Sequence, residues 1–241
     1  MIGWRARLGF LVPPGNPTVE PEMMQLAPPG VSVHFTRMYA EGATGSHAGM
    51  DERIRMQIAH LEENVRLLAL VKPDVIVMAH AGMSYALGKD GEAELVERLT
   101  KSSGIPFLTA FGGVVRALNH LDVQRLALGT PYDKQTTEKG RALLEAHGFA
   151  VVSHANLENV SNIYDESPER AYRLARQVDV PEAQAVFLSG LGLPTLPVLE
   201  ILERDLGKPA LSGASAIMWD ALRTAGVGAS IPGYGRLLRL D

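Results

Sequence analysis

PDVIVMAHAGM (Pro73–Met83) is the stretch on which the fold turns. Val75–Met78 is apolar without a break, of strand length, and bounded by proline on one side and small residues on the other. An uninterrupted apolar run of this kind reads as a strand buried on both faces, the signature of a parallel sheet covered by helices. The strand then delivers a histidine, His80, among Ala79, Ala81 and Gly82, residues with almost no side chain of their own.

The same figure returns in the second half. PDVIVMAHAGM followed by SGIPFLTAFGGVVRALNHL (Ser103–Leu121) parallels AQAVFLSGLGLPTLPVLE (Ala183–Glu200) followed by LGKPALSGASAIMWDALRTAG (Leu206–Gly226). Ile105–Thr109 sits opposite Lys208–Ser212, and Arg116-Ala117-Leu118 opposite Asp220-Ala221-Leu222. Two copies indicate a duplicated unit rather than a solenoid.

Working outward, strands are expected at 7–12, 32–37, 74–79, 107–109, 125–129, 149–154, 185–189 and 210–212. Helix-period segments are expected at 51–71, 91–102, 113–121, 133–147, 167–178, 196–206 and 214–225. Asp51, Asp133 and Ser167 are the candidate helix caps, the last with Pro168 at the first helical position. The alternation makes this an α/β protein of two pseudo-symmetric lobes, each a parallel sheet flanked by helices. The active site falls in the crevice between them, where strand C-termini of open α/β sheets bind ligands. The lobes are expected at 1–118 with 222–241, and at 119–221.

Composition narrows the chemistry. At 241 residues, with 46% apolar and 21% charged residues, the chain can bury a sizeable core. A net charge of −4 offers no basic footprint for nucleic acid, and the apolar run Leu8–Val12 is too short to be a signal or a membrane span, so a cytoplasmic location is expected. Cysteine is absent, which excludes thiolate nucleophiles and sulfur-ligated zinc, and the seven histidines are scattered, so no metal is expected.

The strand-end loops carry the candidate site. Val12-Pro13-Pro14-Gly15-Asn16-Pro17-Thr18 either caps the helix after it or offers amides to an anion. The small residues Ala81 and Gly82 in one lobe, and Gly190 and Gly192 in the other, either merely turn the chain or let a ligand approach backbone N–H groups. Tyr132 is either half-buried packing or a hydroxyl in the crevice; Asn162 is a turn residue or a ligand amide. His80 is either a hydrogen-bonded structural group or an acid/base.

LGFLVPPGNPTVEPEM, MAHAGMSYALG, LALGTPYDKQT and FLSGLGLPTLPVLE–LGKPALSG–WDALRTAG resemble the aspartate/glutamate racemase superfamily, nearest its arylmalonate decarboxylase and maleate cis-trans isomerase branch. The resemblance spans the chain. It implies a cofactor-free enzyme acting on a small carboxylate or dicarboxylate, often as a homo-oligomer. It also implies that Asn16, Tyr132 and Asn162 hold carboxylates, as in the isomerases, and that Ala81, Gly82 and Leu191 supply oxyanion amides, as in the decarboxylase. His80 and Gly190 stand where the racemases carry their two cysteines. A site with one acid/base and no group opposite suits decarboxylation best, with Met83, Leu191 and Leu193 as an apolar wall. The alternatives are a maleate-isomerase-like reaction, hydrolysis of a small amide or imide by a His80-activated water, and carboxylate binding without catalysis.

Overall fold

Every expected apolar run becomes a strand. The computed structural model describes residues 2–239. Among them β1 (Ala6–Val12), β2 (Val31–Arg37), β3 (Val75–Met78) and β4 (Phe107–Thr109) form one sheet in the order β2-β1-β3-β4. The second sheet holds β5 (Arg125–Thr130), β6 (Ala150–Asn156), β7 (Ala185–Leu188) and β8 (Ala210–Ser212) in the order β6-β5-β7-β8. All pairings are parallel. The two orders are one topology used twice, as the internal repeat requires. Inner strands β3 and β7 are buried at every residue, while edge strand β6 alternates between half-buried and exposed.

Helices α1 (Val19–Leu26), α2 (Met50–Ala59), α3 (Leu61–Ala69), α4 (Ala81–Ser103) and α5 (Ala110–His120) join the first set of strands. Helices α6 (Lys134–Ala146), α7 (Pro168–Val178), α8 (Leu196–Leu206) and α9 (Gly213–Thr224) join the second. Among the described residues no helix is long and apolar enough to cross a membrane.

Two caps fall where the sequence puts them. Asp133 accepts from the Thr136 N–H and Ser167 from the Arg170 N–H. Asp51 does not cap: α2 opens at Gly49, whose φ of 70° suits glycine, and Asp51 lies in the first turn, where its charge meets the positive helix end. The single helix expected at 51–71 breaks at His60, which has φ −101° and ψ 6°. The helix expected at 91–102 begins already at Ala81 and bends at Gly88, with φ 69° and ψ 178°.

The duplication closes on itself at α5 and α9. Thr109 and Ser212 cap these helices in the same way, and the helices pack together with Arg116 forked onto the buried Asp220 carboxylate at 2.6 and 2.5 Å. Counted from the caps, Arg116 is equivalent to Trp219, so the sequence pairing with Asp220 is one residue out of step.

Candidate active site

The loops after β1 and β7 are stitched together. Asn16 is buried, and its Oδ1 accepts from the Thr18 and Val19 N–H groups at 2.8 and 3.1 Å. Its Nδ2 donates to the Leu191 carbonyl at 3.2 Å, and Thr18 Oγ1 donates to the Gly192 carbonyl at 3.2 Å. The side chain therefore closes its own turn and reaches across to the second sheet. Gly190 has φ 93°, and a Cβ there would stand 2.6 Å from Pro131 Cγ, so only glycine fits.

His80 is the cap residue of α4, extended at φ −146° and ψ 94°. Its ring lies over the first turn: a Cβ on Gly82 would meet Cε1 and Nε2 at 3.7 Å. Nδ1 is buried without a hydrogen-bond partner. Burial first, and the nearby Arg53 charge second, lower the ring to about 4, so the imidazole is neutral at pH 7. Beside it the Ala81 and Gly82 N–H groups, at the positive end of α4, have no acceptor among the described residues.

A narrow cavity of about 40 Å3 gathers these groups. Asn16, His80, Ala81, Tyr132 and Leu191 all line it. Gly82 lies behind the ring, and Gly190 sits against Pro131 and Tyr132. Asn162 does not line the cavity: its Oδ1 accepts from the Tyr164 N–H at 2.9 Å and lies against Gly45. Burial, and then Tyr85 and Tyr164 nearby, push the Tyr132 phenol well above its ordinary range, so it remains a donor. Of the expected wall only Leu191 lines the cavity. Met83 and Leu193 are buried in the core, and the apolar lining is Met50, Ile54, Ile163 and Leu191.

Arg53 is the residue that sequence reasoning missed. It projects from α2 into the cavity, nine-tenths buried, and donates to the Ala48 carbonyl at 2.7 Å and to the Ser46 carbonyl. Among the described residues no carboxylate lies within ion-pairing distance of it. A buried guanidinium held only by carbonyls keeps its charge unneutralised in the cavity wall. Gln57, one helical turn further on, lines the same cavity, as does Tyr164. The available signal was the spacing Arg53–Gln57 flanking Ile54 on one helix, which an ordinary solvated face imitates.

The cavity thus joins a lone buried cation, a neutral imidazole and unspent amides. A family model described as arylmalonate decarboxylase matches residues 8–238. The chain belongs to this family. Among its relatives, a maleate isomerase of Nocardia farcinica is 35% identical over 248 residues, covering 98% of this chain and 96% of the relative. An arylmalonate decarboxylase of Bordetella bronchiseptica is 28% identical over 242 residues, covering 95% of each. The solved Nocardia farcinica maleate cis-trans isomerase, a cysteine-to-serine mutant with a covalently bound succinylcysteine intermediate, superposes with a TM-score of 0.89 at 32% identity, covering 98% of this chain and 99% of that one. Unliganded arylmalonate decarboxylase superposes at 0.82 and 26% identity, covering 97% and 98%. This member of the arylmalonate decarboxylase family has no cysteine, so an intermediate on cysteine sulfur is closed to it.

Proposed function

We propose that this family member is a cofactor-independent decarboxylase of small dicarboxylates that uses His80 as its one acid/base. The observation that carries the reading is Arg53, a buried cation with no acidic partner among the described residues, facing the cavity that His80 also lines. One substrate carboxylate docks on Arg53, with the Tyr132 and Tyr164 hydroxyls beside it. The second lies against Met50, Ile54, Ile163 and Leu191. Loss of water there favours its departure as neutral carbon dioxide. The carbon–carbon bond breaks, and its electron pair passes into the retained carboxylate as an enediolate. Arg53 and the first-turn amides of α4 stabilise the new charge.

The incoming dianion offsets the Arg53 charge and raises the proton affinity of His80, so the ring takes up a proton in the complex. It then delivers that proton to the substrate carbon and returns to neutral. Gly190 brings no side chain from the second half of the chain, which leaves His80 as the one acid/base. One donor suffices for decarboxylation and falls short of two-base racemisation.

A second reading draws on the neutral ring and on the 35% identity to a maleate isomerase. Unprotonated imidazole is nucleophilic. It can add to an activated alkene, allow rotation about the new single bond, and leave again. NMR of a 2-substituted malonate, maleate and a small cyclic imide incubated with the protein in deuterated water separates the readings. Deuterium at the α-carbon with loss of one carboxylate supports the decarboxylase. Fumarate from maleate supports the isomerase, ring opening a hydrolase, and binding without turnover a carboxylate receptor.

A further inference from the structure

Tyr85 lies outside the cavity lining, yet it touches several residues of the site's framework. It belongs to the first turns of α4, the helix that His80 caps. Its hydroxyl shares a 2.5 Å hydrogen bond with Ser189 Oγ, and both residues are buried. Ser189 directly follows β7 and immediately precedes Gly190 and Leu191. The Tyr85 ring stands edge-on to Tyr132, centroids 6.0 Å apart at 82°, and edge-on to Phe111 at 5.8 Å and 76°. On the far side α6 passes so close that a Cβ on Gly140 would lie 2.8 Å from Tyr85 Cζ. One phenol is thus held by Ser189, Tyr132, Phe111 and the Gly140 backbone, and two of these four, Ser189 and Tyr132, lie at the second sheet's strand ends.

We propose that Tyr85 is a positioning residue: through Ser189 and Tyr132 it sets the Gly190–Leu191 turn and the Tyr132 hydroxyl at the distance from His80 that the reacting carboxylate requires. The reasoning is geometric. His80 sits at the cap of α4 and Tyr85 a little over one turn along it, so a rigid helix fixes their separation. A hydrogen bond between buried hydroxyls fixes the other end. Burial pushes the Tyr85 phenol up to about 12, so the bond keeps its proton across the working pH range. The turnover consequence rests on the decarboxylase reading; the geometric one does not.

The test compares Tyr85→Phe, Ser189→Ala, their double variant and Ser189→Thr with the parent. Misplacing reacting groups by about 1 Å costs on the order of 100-fold in rate, so each single variant is expected to lose roughly that much in kcat with KM within about threefold. The double variant is expected to be no worse than either single, and Ser189→Thr, which keeps the hydroxyl, to recover most of the rate. Losses that multiply in the double variant, or a kcat within threefold of the parent in both singles, would overturn the proposal. A second readout needs no turnover: amide NMR shifts on adding malonate. In the parent the Ala81 and Leu191 amides are both expected to move. In Tyr85→Phe, or in Ser189→Ala should the former not fold, the Ala81 shift is expected to persist and the Leu191 shift to vanish. Equal shifts in variant and parent refute the positioning role even if no diacid is turned over, whereas a parent inactive on every diacid with the Leu191 effect intact refutes only the decarboxylase reading.

Discussion

Arg53 and His80 face one cavity, and the arginine's charge adds to burial in holding the histidine ring down at about 4. A cation beside an imidazole keeps the imidazole unprotonated; an anion between them reverses the effect.

Arg53→Met should abolish the anion receptor while leaving α2 amphipathic. Charge-assisted hydrogen bonds contribute about 1.5–3 kcal/mol, so the malonate dissociation constant is expected to rise roughly 10- to 100-fold by calorimetry. Unchanged affinity would place the carboxylate elsewhere.

His80 also leaves a mark on stability. Its folded value of about 4 lies below the ordinary 6.5, so between those values the unfolded chain binds the extra proton. The favourable contribution is complete above pH 6.5 and is lost as pH falls to 4, to an extent of up to about 3 kcal/mol. Urea midpoints of the parent should therefore fall relative to those of His80→Ala as pH falls through that window. Parallel curves would mean that the ring is not held neutral by its surroundings.

Glu22 works with the opposite sign. It is buried on α1 with its Oε1 accepting from the Thr195 N–H at 3.3 Å at the start of α8, while Oε2 has no partner. Burial, partly offset by the Leu196 and Thr195 amides, raises it to about 7. The protonated form's stabilising effect is complete below pH 4.5 and lost as pH rises through 7. Glu22→Gln keeps an acceptor oxygen but cannot ionise. Its melting temperature should match the parent at pH 4.5 and exceed it at pH 8, where the difference reaches up to about 3 kcal/mol. Equal melting temperatures at both values would contradict the assignment.

Gly190→Ala should destabilise by about 1–3 kcal/mol, since a side chain there is strained at φ 93° and meets Pro131. Gly190→Cys would suffer the same penalty, so adding the missing thiol is not expected to produce a racemase; thermal melts and loss of optical rotation with an α-substituted acid check both points.

The strands were legible because apolar runs such as Val75–Met78 and Ala185–Leu188 admit no other use, and the repeat fixed their grouping. The caps at Asp133 and Ser167 were legible for local reasons, since each side chain satisfies its own helix start. The first turns of α4 were not. Ala81–Gly88 contains two glycines and small residues, and becomes helix only because Ala81, Met83 and Tyr85 are buried against the rest of the protein. Arg53 was hidden for a related reason: a charged residue in Met50–Ala59 reads as solvent-facing, and only the fold of 38–49 turns it inward onto the Ser46 and Ala48 carbonyls.

The most direct measurement follows a 2-substituted malonate by NMR in deuterated water with parent and His80→Ala in parallel, while the affinity of each for malonate is determined. The account predicts carbon dioxide release with one deuteron at the α-carbon in the parent, and loss of turnover with affinity retained in the variant. Undiminished decarboxylation by His80→Ala, or a parent that binds malonate and releases nothing, would contradict it.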